Sequence, residues 1–345
     1  MSLPRTLTTI AIGLTLATGA AAQQPTLNLY SARHYQTDEA LYENFSKSTG
    51  IKINRVDADD AGILARLNTE GSASPADVIL LVDAARLWRA EVDGLFQPVK
   101  SKVLEARIPV QLRGKDGGQG SSWFGLSTRA RVVVFNRASV QREDVDTYEK
   151  LAGEKNKGQL CTRSGSHPYN LSLFGAMHEH LGPQATETWL KGLVANMARN
   201  PKGGDTDQIL AVASGECKVA LTNTYYLARL MRSQKPEDKA AVDKVGVVFP
   251  NQNSFGTHVN IAGAAMAKHA KNKAAAQQFI EYLASDQAQA YFADGNNEWP
   301  VVAGLPLTNP ALQQLGSFRR ETIPISVVGM NQVKIQQMLD RVGYK

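Results

Sequence analysis

A two-lobed α/β protein with a ligand cleft between the lobes is the architecture this sequence predicts, on three observations. Strand-like and helix-like patterns alternate with short links from residue 26 onward. The chain behind its leader-like start is about 320 residues long, enough for roughly two domains of 100 to 200 residues each. A Gly-rich stretch, "RGKDGGQGSSWFG" (113–125), interrupts the alternation and marks a crossing from one lobe to the other.

The elements follow in order. "TLNLYS" (26–31) reads as a strand, followed by a polar loop to Asp38. In "EALYENFSKSTG" Leu41, Tyr42 and Phe45 share a helical face and Gly50 supplies the stop. "IKINRVDA" alternates at period two, and "AGILARLNTEG" returns to helix. "SPADVILLVD" carries the continuous apolar run of a strand buried on both faces, and "AARLWRAEVDGLF" is again amphipathic. Strand, helix and strand with short links imply a parallel sheet with right-handed crossovers. After the Gly-rich stretch come the strand "ARVVVFN" and the helices "YNLSLFGAMHEHLG", "TETWLKGLVANMARN" and "DTDQILAVASGE". The strand "CKVALTN" then leads into a helix that begins at "TYY". Residues 246–267 read as two strands around a loop, a return crossing, and "KAAAQQFIEYLASDQAQAYFA" (273–293) reads as one helix. The expected lobes are 26–128 with 256–306, and 129–255 with 307–345.

Residues 1–22 carry one positive charge (Arg5), an apolar stretch and "AAA" before Gln23, the layout of a signal peptide that is removed on export. The stretch is dotted with Thr and Gly and is shorter than the ~20 apolar residues of a membrane span. A net charge of +6 with dispersed Lys and Arg gives no nucleic-acid footprint. Charged residues at 20% and hydrophobic ones at 43% are ordinary for a globular protein. Cys161 and Cys217, an even pair in an exported chain, are expected to form a disulfide. Closing their 56-residue loop is worth roughly 4 kcal/mol in the chain-entropy model.

In open α/β sheets ligands lie beyond the carboxyl ends of the strands. That rule selects three loops, 31–38, 163–170 and 223–226, and each contains tyrosine: Tyr35, Tyr169, and the adjacent Tyr225 and Tyr226. Neighbouring side chains on a helix leave its axis about 100° apart, so the pair is expected to splay. Ionising a phenol at pH 7 costs about 4 kcal/mol, and four cost on the order of 16 kcal/mol before mutual repulsion. Only an intense positive charge offsets that, and Fe(III) is the natural partner of such hard oxygen donors. Zinc is served more cheaply by imidazole or thiolate, and calcium or magnesium by carboxylates. Four phenolates on Fe(III) leave one negative charge. Arg129 is the expected counter-ion, while Arg33 is expected to point away from Tyr35 by alternation. The helix start at Tyr225 and Tyr226 adds free N–H groups. Half-buried packing tyrosines remain the open alternative at this stage.

The segments "YSARHY", "SPADV", "GLSTRARVVVFN", "RSGSHPYNLSL", "ALTNTYYLARL" and "THVNIAGAAMAKHAKNKAAAQQFIEYLASDQAQAYFADGNNEWPV" together resemble the periplasmic ferric-iron-binding proteins that feed ABC importers. The resemblance covers nearly all of the chain after the leader. It implies a type II-like periplasmic binding protein fold akin to a transferrin lobe, each lobe a mixed sheet flanked by helices. It further implies Fe(III) held by Tyr35, Tyr169, Tyr225 and Tyr226, with His34 as a fifth ligand or as a donor orienting Tyr35. One branch of the family adds a first-lobe glutamate and phosphate after the "SPADV" strand. Here that segment reads Leu80, Leu81, Val82, Asp83, which favours the tyrosine-rich branch with carbonate or water completing the shell.

The implied protein is a monomeric, non-enzymatic periplasmic carrier whose partner is an inner-membrane permease. The competing readings are the same fold binding a polyamine, sugar or oxyanion with tyrosines as pocket walls, and an iron-dependent enzyme or reductase. Other motifs fade. His178, Glu179 and His180 lack the spacing of HExxH and read as an exposed helix face, and "DADDAG" from Asp57 lacks the glutamate that closes a calcium loop. "GKDGGQG" lacks the GK[ST] ending of a phosphate loop.

Overall fold

The computed structural model describes residues 24–33 and 35–345. The leader (1–22) and His34 lie outside the described residues.

The first lobe is built from β1 (Thr26–Ser31), α1 (Asp38–Thr49), β2 (Lys52–Asp57), α2 (Asp60–Glu70), β3 (Val78–Leu81) and α3 (Ala84–Val92). The strands pair in parallel as β2-β1-β3. β3 is wholly buried and takes the inner position, while β2, largely solvated, forms the edge. α1 ends where Gly50 turns left-handed at φ 73°, a conformation that costs a residue without Cβ little. Asp83 caps α3, its Oδ1 accepting from the N–H groups of Ala85 and Arg86 at 3.0 and 3.1 Å. β4 (Phe96–Gln97) and α4 (Lys102–Arg107) then lead to β5 (Phe124–Asn136).

The second lobe holds β6 (Leu160–Cys161), α5 (Pro168–Leu181), α6 (Pro183–Ala195), α7 (Asp205–Ser214), β7 (Val219–Asn223), α8 (Thr224–Arg232), α9 (Pro236–Lys244) and β8 (Val245–Val248). The chain continues through β9 (Val259–Ala267), α10 (Lys273–Leu283), α11 (Asp286–Asn296), β10 (Trp299–Pro300), α12 (Pro310–Leu315) and α13 (Ile325–Val342). The main strand order is β2-β1-β3-β9-β5-β7-β6. The long β5 pairs with β9 through residues 124–130 and with β7 and β8 through residues 131–136, so one strand serves both lobes.

Two large apolar clusters flank this shared strand. One gathers residues from Leu27 to Leu126 and from Ile261 to Val301, the other from Val133 to Val248 and from Ile335 to Tyr344. Cys161 and Cys217 are joined, with Cα atoms 5.8 Å apart. α13 meets both lobes: Val328 packs with Ala85 of α3 and Ala176 of α5. Gly329 lies so close to the Trp88 ring that an added Cβ would come within 2.4 Å of it.

The structure corrects several local expectations. Residues 273–293 form parts of two helices, because Ser285 Oγ accepts from Ala288 N and starts α11 afresh. His180 is half-buried rather than exposed; it stacks on Phe255 at 3.6 Å and lies 3.2 Å from Glu321. No helix among the described residues is long and apolar enough to cross a membrane.

Candidate metal centre

Each tyrosine of the constellation sits where a loop or strand gives way to a helix. Tyr35 lies in the loop before α1, its carbonyl accepting from Asp38 N at 3.0 Å. Tyr169 is in the first turn of α5, behind Pro168, whose missing N–H costs nothing at a helix start. His167 caps that helix, its Nδ1 accepting from Tyr169 N at 3.2 Å. Tyr225 and Tyr226 occupy the first turn of α8 directly after β7. The Asn223 side chain does not cap α8; its Oδ1 accepts from Arg131 at 3.3 Å instead.

These loops meet. The hydroxyls of Tyr169 and Tyr225 are 3.1 Å apart, and the rings of Tyr35 and Tyr225 lie edge to face with centroids 5.9 Å apart. Tyr225 and Tyr169 are buried, while Tyr35 and Tyr226 are half-buried. A cavity of about 590 Å³ opens beside them, lined from the first lobe by Arg33, Tyr35 and Arg86 and from the second by His167 and Tyr169.

Four guanidinium groups cover the rings: Arg33 over Tyr35 at 4.9 Å, Arg129 and Arg163 over Tyr169 at 5.7 and 5.1 Å, and Arg229 over Tyr226 at 5.1 Å. Arg129 is 1% exposed, and none of its three guanidinium nitrogens has a hydrogen-bond partner among the described residues. Glu298, fully buried, stands 3.8 Å from Arg129 and 3.6 Å from Arg33. Its Oε1 accepts from Tyr35 Oη at 3.2 Å and its Oε2 from Ser127 Oγ at 2.7 Å.

Burial raises the pKa of Tyr35, with Glu298 and Tyr169 adding to the rise and Arg33 and Arg129 opposing it. Burial likewise raises Tyr225, reinforced by the neighbouring phenols, and raises Tyr169 against the pull of Arg129. Burial and the positive charges of Arg163, Arg131 and Arg86 push the His167 imidazole down to about 3, so it is neutral at pH 7. Without a cation Tyr35, Tyr169 and Tyr225 therefore keep their protons. A hard, highly charged cation would release them, and the arginines would stabilise the phenolates formed.

Tyr35, Tyr169 and Tyr225 are thus brought together as expected, and Arg129 lies over the Tyr169 ring. Tyr226 departs from expectation: instead of splaying, its ring stacks on Tyr225 at 4.2 Å with 30° between planes. Helical side chains lean toward the N-terminus, so both rings fold over the same end of α8 despite their diverging Cβ directions. Arg33 is a second correction. Residues 33 and 35 are two apart, a spacing that period-two alternation places on one side, and the Arg33 guanidinium indeed lies over the Tyr35 ring. Glu298 was missed altogether; its only signal is an acidic residue inside the otherwise neutral "NNEWPV". Asp83 caps a helix and bonds Asn260. Among the described residues no three His, Cys, Asp or Glu side chains gather as a metal-binding group.

Known proteins resemble this chain over nearly its whole length. The profile of the family described as bacterial extracellular solute-binding protein matches residues 40–318. Iron uptake protein A1 of Synechocystis is 46% identical over 323 residues, covering 94% of this chain and 88% of that protein. A structure of FutA (IdiA) from Trichodesmium with iron and citrate superposes with a TM-score of 0.86 at 48% identity, covering 93% of this chain and all of that one. The ferric binding protein of Campylobacter jejuni gives a TM-score of 0.87 at 38% identity over 92% of this chain and 100% of its own.

Proposed function

The chain belongs to the bacterial extracellular solute-binding protein family, and from that premise we propose that it carries Fe(III), held by tyrosinates in the cleft, to an ABC permease. The observation that carries this reading is the meeting of Tyr169 and Tyr225 hydroxyls at 3.1 Å beneath a buried arginine with no hydrogen-bond partner among the described residues. The iron and citrate in the Trichodesmium structure support the same cargo.

In this reading Tyr35, Tyr169, Tyr225 and Tyr226 ligate the metal, with His34 as a fifth ligand and carbonate or water filling the shell. Arg129 balances the negative charge. The lobes divide at 26–128 with 256–306 and 129–255 with 307–345, the mature protein is a periplasmic monomer, and residues 1–22 are its signal peptide. It is a carrier and not a catalyst; steady turnover of any substrate would contradict that.

Ferric loading should produce a visible tyrosinate-to-iron charge-transfer band, and a spectrum unchanged by ferric iron would overturn the reading. Acidity should release the metal. The pKa values of Tyr35, Tyr169 and Tyr225 are raised, so protons compete with iron at these three throughout the range below them. Affinity should fall by about tenfold per pH unit for each phenol displaced. Competition with citrate between pH 8 and pH 5, corrected for the protonation of citrate itself, measures that slope; a flat profile excludes phenolate ligation.

A further inference from the structure

Outside the phenol cluster, one buried side chain bridges the two lobes. Asn260 of β9 lies opposite Arg129 of β5, on the same rung of the shared sheet. Its carboxamide is anchored on the first lobe: Oδ1 accepts from Ala84 N at 2.9 Å, and Nδ2 donates to Asp83 Oδ2 at 2.7 Å. The same nitrogen donates to Ser172 Oγ at 3.0 Å, on α5 of the second lobe. Asn260 is 4% exposed and Ser172 not at all.

We propose that Asn260 is a positioning residue that clasps α5 to the N-terminus of α3 when the cleft is closed, and so holds Tyr169 against the first-lobe wall. Tyr169, Ser172 and Ala176 stand at i, i+3 and i+7 on α5, which puts all three on one helical face. Ala176 at its far end packs with Ala85 of α3. The hydrogen bond to Ser172 lies between the phenol and that apolar contact. An amide nitrogen only donates, so Ser172 Oγ accepts from Asn260 and its own hydrogen is left for His258 Nε2, 3.2 Å away. His258 Nδ1 in turn contacts Glu321. The chain of bonds is therefore ordered in one direction and tolerates no partial loss in a dry setting. When the lobes part, water replaces the Asn260–Ser172 bond, so its removal weakens the closed form alone.

This inference uses the iron reading only in taking Tyr169 as a ligand. The test compares wild type with Asn260→Ala, Ser172→Ala and the double variant by iron release to a chelator and by small-angle scattering. Each single variant should release iron about tenfold faster with the charge-transfer band at its wild-type wavelength, and the double variant should be no faster than the quicker single. The iron-loaded radius of gyration should shift toward the open value, a change that loss of the first-lobe bonds of Asn260 alone would not produce. Unchanged release and an unchanged radius in the single variants would overturn the clasp and leave the iron reading intact. A wild type with no ferric band would instead sink the iron reading; the clasp is then judged on the iron-free radius, which must still rise in the variants. Ser172→Ala decides the matter if Asn260→Ala fails to fold.

Discussion

Arg129 and Arg131 stand two residues apart on β5, face the same side of the strand and are each 1% exposed, yet their surroundings are opposite. Arg131 is held by Asp205 at 2.6 Å, Asn170 at 2.7 Å and Asn223 at 3.3 Å, and Asp205 also accepts from Asn223 N at 2.7 Å. Arg129 has the Glu298 carboxylate at 3.8 Å and the face of the Tyr169 ring at 5.7 Å, but no hydrogen bond among the described residues. A buried charge bonded through both terminal nitrogens, with only its Nε left without a partner among the described residues, braces the loops that present Tyr169 and Tyr225. An unsaturated one is a standing demand for negative charge, which phenolates formed on metal binding would meet. The centre is rigid where Arg131 acts and electrostatically unfinished where Arg129 acts.

Substitutions should separate the two. The largest effect is expected at Arg131→Met, which strands buried Asp205 with Arg163 at 3.3 Å as its remaining cation. Denaturant unfolding should show a loss of about 3 to 5 kcal/mol. Tyr225→Phe comes next: the ring keeps its packing, stability changes by about 1 kcal/mol, and iron affinity should drop at least about a hundredfold with a weakened charge-transfer band. Arg129→Met should leave unfolding within about 1 kcal/mol of wild type, because it removes a charge that the fold does not saturate, while iron affinity falls roughly tenfold. Equal stability losses at Arg129 and Arg131 would erase the distinction. The smallest effect is expected at Glu298→Gln. Glu298 adds to the rise of the Tyr35 pKa, so its neutralisation eases phenolate formation and should move acid release of iron to lower pH by less than about one unit.

Much of this was legible in the sequence. β1 coincides with "TLNLYS" and β3 lies within the apolar run of "SPADVILLVD", because strand patterns there are uninterrupted and their burial is one-sided or complete. The three tyrosine loops followed from the strand-to-helix rule alone. What stayed hidden depends on contacts remote in sequence. Glu298 reaches Tyr35 across 263 positions, and no local pattern announces such a contact. Nor does any pattern distinguish Arg129 from Arg131, since their difference is made by Asp205 and Asn170 arriving from other elements. The stacking of Tyr225 on Tyr226 was lost because backbone direction was taken for ring direction. Arg33 and Tyr35 are two positions apart, so alternation gives no ground for expecting them to diverge, and they do not.

The rungs between β3 and β9 join residues 78–81 to residues 263–266. A growing chain therefore leaves the inner edge of its first sheet open until more than three quarters of its length exists, and pairings of such long span form slowly. Asn260 and Glu298 arrive in that same late stretch. A fragment released early would have Tyr169, Tyr225 and Tyr226 but would lack β9, Asn260 and Glu298, the parts that close the first sheet and face those rings from the other side.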